Sequence, residues 1–159
     1  MRRQNGFSLI ELLIVVAIIL TIAAMAIPSF MRSRIAANEA SAVNSVRTIT
    51  TAQNTYASTY PGTGFACSLT ILGPSADGSF TPTVAGLIDS VLASGKKAGY
   101  LLSIDPASCS GTPVNAYIVN AVPLTVGQSG NRSFCSDQTN IIRYAPSGDC
   151  STIDSFPVQ

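Results

Sequence analysis

The feature that most constrains this chain is an apolar run near its start that contains a single charged side chain. Between Phe7 and Ile27 that side chain is Glu11. A helix of this length rises about 30 Å, which matches the hydrocarbon core of a bilayer. A carboxylate at the middle of a membrane-spanning helix costs about 2.5–3.5 kcal/mol, so intramembrane acids usually have a partner. Cleavage after Gly6 would create one, because the new ammonium of Phe7 would lie one helical turn from Glu11.

The segment around Gly6 also fits a known processing pattern. A short basic leader that ends in Gly, residues 1–6 (MRRQNG), precedes an aromatic residue, Phe7, with Glu11 four residues later. In this pattern and in the text F-S-L-I-E-L-L-I-V-V-A-I-I, the chain resembles the type IV pilin family. The resemblance implies that a prepilin peptidase cleaves between Gly6 and Phe7 and that the Phe7 amine is then methylated. It also implies that Glu11 meets the amine of a neighbouring subunit during assembly.

Pro28, at the end of the apolar run, matches a helix-interrupting proline of these subunits. It lacks a backbone donor, and its ring clashes with the carbonyl of Ala24 in a regular helix. We therefore expect a kink or a local unwinding of the helix at Pro28.

Two other interpretations of the N-terminal segment compete with the pilin type. Arg2 and Arg3 form a basic n-region, and Ala24-Met25-Ala26 has the small-x-small pattern of a signal-peptidase site. The apolar part of a signal peptide is, however, only about 7–15 residues long and does not gain from an internal Glu. An uncleaved membrane anchor is the remaining alternative, since arginines flank the segment at both ends.

The composition excludes several function classes. Charged residues are 11% of the chain, and removal of Arg2 and Arg3 changes the formal charge from +1 to −1. No basic field is left to attract nucleic acid, so no specific nucleic-acid partner is predicted. The chain has no His, which removes the usual base of a catalytic triad, and its Asp residues are scattered in turn-like contexts. We therefore predict that the protein is not an enzyme, with no catalytic residues and no cofactor.

The pattern beyond Pro28 predicts an α+β protein, and the resemblance to type IV pilins implies the pilin fold. Larger apolar residues such as Val43, Val46 and Ile49 recur at spacings near three and four, which indicates an amphipathic continuation of the helix to about Ser58. The chain then divides into a leader at 1–6, a transmembrane and filament-core helix at 7–28, the amphipathic continuation at 29–60, and a C-terminal globular α+β domain at 61–159.

Turn and strand signals organise the C-terminal domain. Pro61, Gly62 and Gly64 end the long helix, and a loop follows to Ser79. Thr81-Pro82 resembles an N-cap followed by proline, which predicts a short helix that stops at Gly95. Short strands separated by turn residues predict an antiparallel meander packed against the long helix. The predicted strands are Gly99–Ile104, Ala116–Val122, Arg132–Cys135 and Ile141–Tyr144.

Four cysteines, Cys67, Cys109, Cys135 and Cys150, all follow the apolar helix. An even number on the exported side indicates two disulfides, although four cysteines allow three pairings. We favour Cys67 with Cys109, which would tie the loop after the helix to the sheet. Cys135 with Cys150 would then span a likely hairpin. A zinc site is disfavoured because the chain has neither His nor a C-x-x-C motif.

Calcium is a weaker alternative for the same region. Asp137 and Asp149 with nearby carbonyls resemble a site that some secretion pseudopilins carry, but capping of turns by such residues is commoner. No metal is therefore predicted, and calcium at Asp137 and Asp149 stays an open alternative.

The resemblance implies two functions from related systems. One is a structural subunit of a type IV pilus for adhesion, motility or DNA uptake, and the other is a pseudopilin of a type II protein secretion system. The implied partners are copies of the chain in a filament, the prepilin peptidase and methyltransferase, the inner-membrane assembly machinery, and membrane lipid before assembly. The implied location is the bacterial inner membrane, with a single span and the C-terminal domain outside the cytoplasm, and then the extracellular pilus. The cysteines favour the pilus, because pilins often have a disulfide in their C-terminal region.

Overall fold

A computed structural model describes residues 7–75, 77–146, 150 and 156–158. The chain divides into two compact units, Met1–Arg34 and Ile35–Gln159. The first helix, α1 (Leu9–Thr59), contributes to both units, and its bounds lie within two residues of those predicted.

In the first unit, α1 carries no charged side chain between Glu11 and Pro28. It is long and apolar enough to cross a membrane, with a mean hydropathy of 2.9 in its most apolar window and none of that window buried. The helix runs through Pro28 without interruption, so the predicted local unwinding does not occur there. Loss of the single hydrogen bond that proline removes leaves its neighbours in the helical ladder intact. The predicted kink stays a prediction.

In the second unit, one stripe of α1 is buried. Ala42, Val46, Ile49 and Tyr56 are all at most 2% exposed. Their spacing of three, four and seven residues places them on one face of the helix. The predicted amphipathic continuation is therefore confirmed, and this face shares one hydrophobic core with the sheet.

Within the described residues, six strands form a single antiparallel sheet in chain order. The predicted meander is confirmed, with small shifts in the strand ends. Two edge strands of two residues each were not predicted, because such short pieces carry no alternating pattern. The strands are β1 (Lys96–Lys97), β2 (Tyr100–Ile104), β3 (Ile118–Pro123), β4 (Ser133–Asp137), β5 (Arg143–Ala145) and β6 (Phe156–Pro157).

The prediction of a helix that begins after Thr81 is wrong. Thr81 and Val84 instead exchange backbone hydrogen bonds of 2.9 and 3.0 Å in a tight turn, and Gly86 has a φ of +66°, which an α-helix does not contain. The helix, α3 (Ser90–Ala93), begins later because Asp89 caps it by accepting a hydrogen bond from the Leu92 N–H. Gly95 follows its last turn with a φ of +75°, as predicted for a glycine stop.

The segment predicted as a loop after α1 contains one further turn of helix, α2 (Leu69–Leu72). A buried glutamine fixes this segment to α1. The Gln53 side chain donates to the Ala66 carbonyl at 2.7 Å and accepts from the Ala66 N–H at 2.8 Å. Both backbone groups of Ala66 are thereby satisfied in a buried position, where an unmade hydrogen bond costs about 1–3 kcal/mol.

Candidate functional site

The first candidate site is the start of α1. Gly6 lies outside the described residues, and Phe7 is 72% exposed directly before the helix. The carbonyl of Ser8 accepts hydrogen bonds from the N–H groups of Glu11 and Leu12 at 3.1 and 3.2 Å, which begins the first helical turn. Glu11 therefore lies in the first turn of α1. An acid at this position interacts favourably with the positive end of the helix dipole.

Glu11 has no ion-pair partner among the residues that the structure describes. The three apolar residues that follow it, Leu12, Leu13 and Ile14, are each more than half exposed. The only polar side chain in the middle of the segment, Thr21, donates its hydroxyl to the carbonyl of Ala17. That bond satisfies the hydroxyl within the helix, whereas the Glu11 carboxylate stays available to a group from outside this chain.

The second unit holds an ion pair that was not predicted. Glu39 on α1 is 7% exposed, and its two carboxylate oxygens are both occupied. One accepts from the N–H groups of Asn131 and Arg132, at 2.9 and 3.2 Å. The other accepts from Nε and a terminal nitrogen of the Arg132 guanidinium at 2.8 and 2.6 Å. This cluster, here named the Glu39 clamp, ties the loop between β3 and β4 to α1.

Neighbouring residues complete the Glu39 clamp. The Asn38 amide donates to the Ser129 carbonyl at 2.9 Å, and the Tyr100 hydroxyl donates to the Arg132 carbonyl at 2.8 Å. Burial, together with the Glu39 charge, raises the pKa of Tyr100 to about 12, so Tyr100 stays a hydrogen-bond donor. Gly130 leaves room for this ring, since a Cβ there would lie 2.0 Å from the Tyr100 hydroxyl oxygen.

The position of Glu39 on the helix was the missed signal. Glu39, Ala42 and Val46 are three and four residues apart, so the acid continues the buried stripe. An acid on an apolar stripe requires a partner, because an unpaired buried charge is costly. Sequence alone did not show which of the later arginines provides it.

The Glu39 clamp predicts an acid-dependent stability. Burial raises the pKa of Glu39, but the hydrogen bonds from Asn131 and Arg132 and the Arg132 charge lower it more, so the net shift is downward. A lowered carboxyl pKa contributes stability above the unfolded-state value of about 4.3, and this contribution is lost as pH falls through the folded-state value. We expect Glu39→Gln to lower the free energy of unfolding at pH 7 by about 1–3 kcal/mol, since Arg132 is partly exposed and its charge is screened.

The measurement is denaturant unfolding of the full chain in a non-ionic detergent at several pH values. The difference between wild type and Glu39→Gln should shrink as the pH is lowered below about 4. Asp77→Asn is the matched control, because the exposed Asp77 carboxylate has no hydrogen bond to another described residue. A pH-independent difference for Glu39→Gln would contradict the assigned role of its charge.

The cysteines lie in two pairs. Cys135 on β4 forms a disulfide with Cys150, with Cα atoms 5.6 Å apart and a sequence separation of 15. This is the pairing that we favoured for these two residues. In the chain-entropy model a loop of this size contributes about 3 kcal/mol to stability.

The structure does not contain the second predicted disulfide. Cys67 and Cys109 are free thiols, but they are neighbours in this reduced form. Burial and a hydrogen bond with Cys67 raise the pKa of the Cys109 thiol to about 12. The backbone brings the two segments together, because the Phe65 N–H donates to the Val114 carbonyl at 3.0 Å and the Val114 N–H to the Thr63 carbonyl at 2.9 Å. The covalent bond between these adjacent thiols stays a prediction.

We expect the chain isolated from cells without reductant to contain no free thiol, with Cys67 joined to Cys109 in peptide maps. An exported domain meets disulfide donors, and the fold already holds these two thiols together. In the matched variant Cys135→Ser/Cys150→Ser, the Cys67–Cys109 link should still form. Recovery of two reactive thiols per chain from the native protein would contradict this prediction.

Asp137, part of the weaker calcium alternative, caps a turn in the structure. One of its carboxylate oxygens accepts from the N–H of Thr139 at 2.8 Å and from the Thr139 hydroxyl. Asp149 lies outside the described residues, and the described part of the chain has no group of three or more potential metal-ligating His, Cys, Asp or Glu residues. Calcium binding at Asp137 and Asp149 therefore stays untested.

Comparison with known protein families identifies a motif in the N-terminal segment. Residues 1–27 match the family model for the prokaryotic N-terminal methylation motif. No curated protein and no solved structure matches the chain. The α+β architecture, a long N-terminal helix followed by an antiparallel sheet, is consistent with the pilin fold. The chain thus carries the N-terminal methylation motif that is the signature of type IV pilins and pseudopilins.

Proposed function

We propose that the protein is a structural subunit of a type IV pilus that is cleaved after Gly6, methylated at Phe7 and polymerised through the apolar part of α1. The observation that carries this proposal is the methylation motif at residues 1–27, which coincides with a helix that buries none of its most apolar window. The motif supports a pilin or a pseudopilin, and the pilus is the more specific part of the proposal.

The exposed apolar surface of α1 supports membrane insertion followed by polymerisation. Ile10, Leu20 and Ile22 are each more than 60% exposed, and full burial of such a side chain contributes about 1.5–3 kcal/mol. Lipid covers this surface before assembly, and copies of the same helix cover it in the filament. Because lipid chains are as apolar as leucine, transfer from lipid to filament gains little from the hydrophobic effect. Packing and polar groups must therefore favour the filament.

The orientation of the subunit follows from its charges and its disulfide. Arg2 and Arg3 precede the apolar segment, which favours a cytoplasmic N-terminus. The disulfide between Cys135 and Cys150 belongs in an oxidising compartment outside the cytoplasm. In this proposal the subunit is a single-span protein of the bacterial inner membrane that the assembly machinery moves into an extracellular pilus for adhesion, motility or DNA uptake.

A pseudopilin of a type II secretion system is the second candidate. The same motif and the same helix serve it equally well. The disulfide between Cys150 and Cys135 of β4 favours the pilus, because the resemblance to type IV pilins implies a disulfide in this C-terminal region.

Filaments sheared from the cell surface test the proposal. We expect electron micrographs to show filaments, and mass spectrometry of them to find a chain that begins at an N-methylated Phe7. The same mature chain in the cell envelope, without surface filaments under conditions of high expression, would favour the pseudopilin. A chain that begins at Ile27 would instead establish an ordinary signal peptide and exclude both candidates.

A further inference from the structure

A polar groove of about 360 Å³ lies on the second unit, between the exposed face of α1 and the turn that joins β4 to β5. Its size falls at the lower end of the range of small-molecule sites, about 300–1,000 Å³. The proposed processing at Gly6 and packing through the apolar part of α1 involve residues of the first unit, whereas this groove lies on the second. Its principal lining residues are Arg47, Thr51 and Asn54 from α1, with Asn140, Ile141 and Val158 on the opposite side.

The α1 side of the groove is defined by helical spacing. Arg47, Thr51 and Asn54 are four and seven residues apart, so they share one face. The Thr51 hydroxyl donates to the Arg47 carbonyl at 2.9 Å, which leaves its oxygen as an acceptor towards the groove. The Arg47 guanidinium has no ion-pair partner within the described part of the chain. This side therefore presents one positive charge beside a hydroxyl acceptor.

The opposite side is fixed to α1 by an amide pair. The Asn54 amide donates to the Asn140 carboxamide oxygen at 2.9 Å. Asn140 has a φ of +62°, a conformation that asparagine tolerates better than most residues. The pair leaves the Asn140 NH₂ group as a donor and the Asn54 oxygen as an acceptor. Ile141 and Val158 add an apolar wall, 44% and 36% exposed.

These groups define the chemistry of a ligand. The arginine fork matches a single carboxylate, and the Asn140 amide adds a further donor beside it. The acceptors on Thr51 and Asn54 require hydroxyl donors from the ligand. The apolar wall requires a C–H face. No acidic residue among those that the structure describes lines the groove to oppose an anion.

We propose that this groove binds a uronic acid residue of an acidic polysaccharide. A uronic acid combines one carboxylate, several hydroxyl groups and the C–H face of a sugar ring in one compact unit. A peptide C-terminus has the carboxylate but few donors for Thr51 and Asn54. A phosphate carries more negative charge than one guanidinium neutralises and has no apolar face.

Titration of the full chain in non-ionic detergent micelles tests this proposal. The probe is the methyl glycoside of galacturonate, and the methyl glycoside of galactose is its neutral match, since only the carboxylate differs. NMR of isoleucine methyl groups reports binding at Ile141 and at Ile142, which also lines the groove. We expect saturable shifts at these two residues with the uronate. Arg47→Gln should weaken binding by about 10- to 100-fold, because a charge-assisted hydrogen-bond pair is lost.

Lys96→Gln is the control variant, because it removes one positive charge from the exposed edge strand β1 and should leave the affinity unchanged. An Arg47→Gln spectrum with the remaining isoleucine signals in place shows that the fold is retained. Arg47→Lys, which keeps the charge without the planar fork, should bind with intermediate affinity. The proposal would be overturned by equal affinity for the two sugars or by an unchanged affinity in Arg47→Gln. It would also be overturned if N-acetyl-valine, which mimics a peptide C-terminus, bound more tightly than the uronate.

Discussion

Cells that produce the Gly6→Val variant are expected to accumulate an uncleaved chain in the membrane and to form no filaments from it. Position 6 is the last residue of the proposed leader, within the methylation motif at residues 1–27. Glycine has no Cβ and adopts backbone conformations that a β-branched residue resists, so valine obstructs the approach of the peptidase to this bond. The mass of the purified chain measures the result directly, because the uncleaved form keeps all six leader residues.

Ala26→Val is the matched control for this experiment. It alters the residue before the competing signal-peptidase site and lies 20 positions from Gly6. The pilin interpretation predicts that Ala26→Val chains still begin at a methylated Phe7. The reverse pattern, with Gly6→Val cleaved at Ile27 and Ala26→Val uncleaved, would show that the segment is a signal peptide.

The parts of the fold that were predicted correctly depend on repeated patterns. The buried stripe of α1 at Val46, Ile49 and Tyr56 follows helical spacing, and the alternate burial of β2 follows strand spacing. Each pattern contains several residues, so one exception does not change the result. The Cys135–Cys150 bond, by contrast, was a choice among three pairings.

The parts that were not predicted depend on single tertiary contacts. The turn at Thr81 and Val84 overrides a good local helix signal, because Ile88 beyond it donates its N–H to the Leu72 carbonyl at 3.0 Å. The Glu39 clamp joins residues that are 93 positions apart. Local propensity carries no information about a partner at that distance. The same limit applies to the groove at Arg47, whose two sides come from distant segments.

The N-terminal site differs from these, because the proposed partner of Glu11 would form only when the chain is cleaved after Gly6. Glu11 has no ion-pair partner among the described residues, and the Phe7 ammonium exists only after cleavage. Glu11 and Phe7 are four residues apart, so the amine of the same chain can neutralise Glu11 across one turn. The amine of a neighbouring subunit can do so equally well in a filament. Only the second pairing fixes how far one helix slides along the next.

We therefore expect Glu11→Val to leave cleavage and membrane insertion largely intact but to reduce filaments to a few per cent or less. Removal of the acid lowers the cost of insertion, which reaches about 2.5–3.5 kcal/mol for an acid at the centre of a membrane helix, so the monomer becomes more stable in lipid. The variant loses the attraction that sets the register, and the Phe7 ammonium loses its partner. Sheared filament yield, normalised to the amount of mature chain in the membrane, is the measurement.

Two variants separate charge from shape in this prediction. Glu11→Asp keeps the charge but has a shorter reach, so its filament yield should lie between those of wild type and Glu11→Val. Leu13→Val is the matched control, since it changes an exposed apolar residue of the same segment and leaves the acid in place. It should assemble nearly as the wild type does. Normal filament yield from Glu11→Val cells, with the variant shown by mass to be the subunit, would exclude the Glu11–Phe7 pairing as the register signal of assembly.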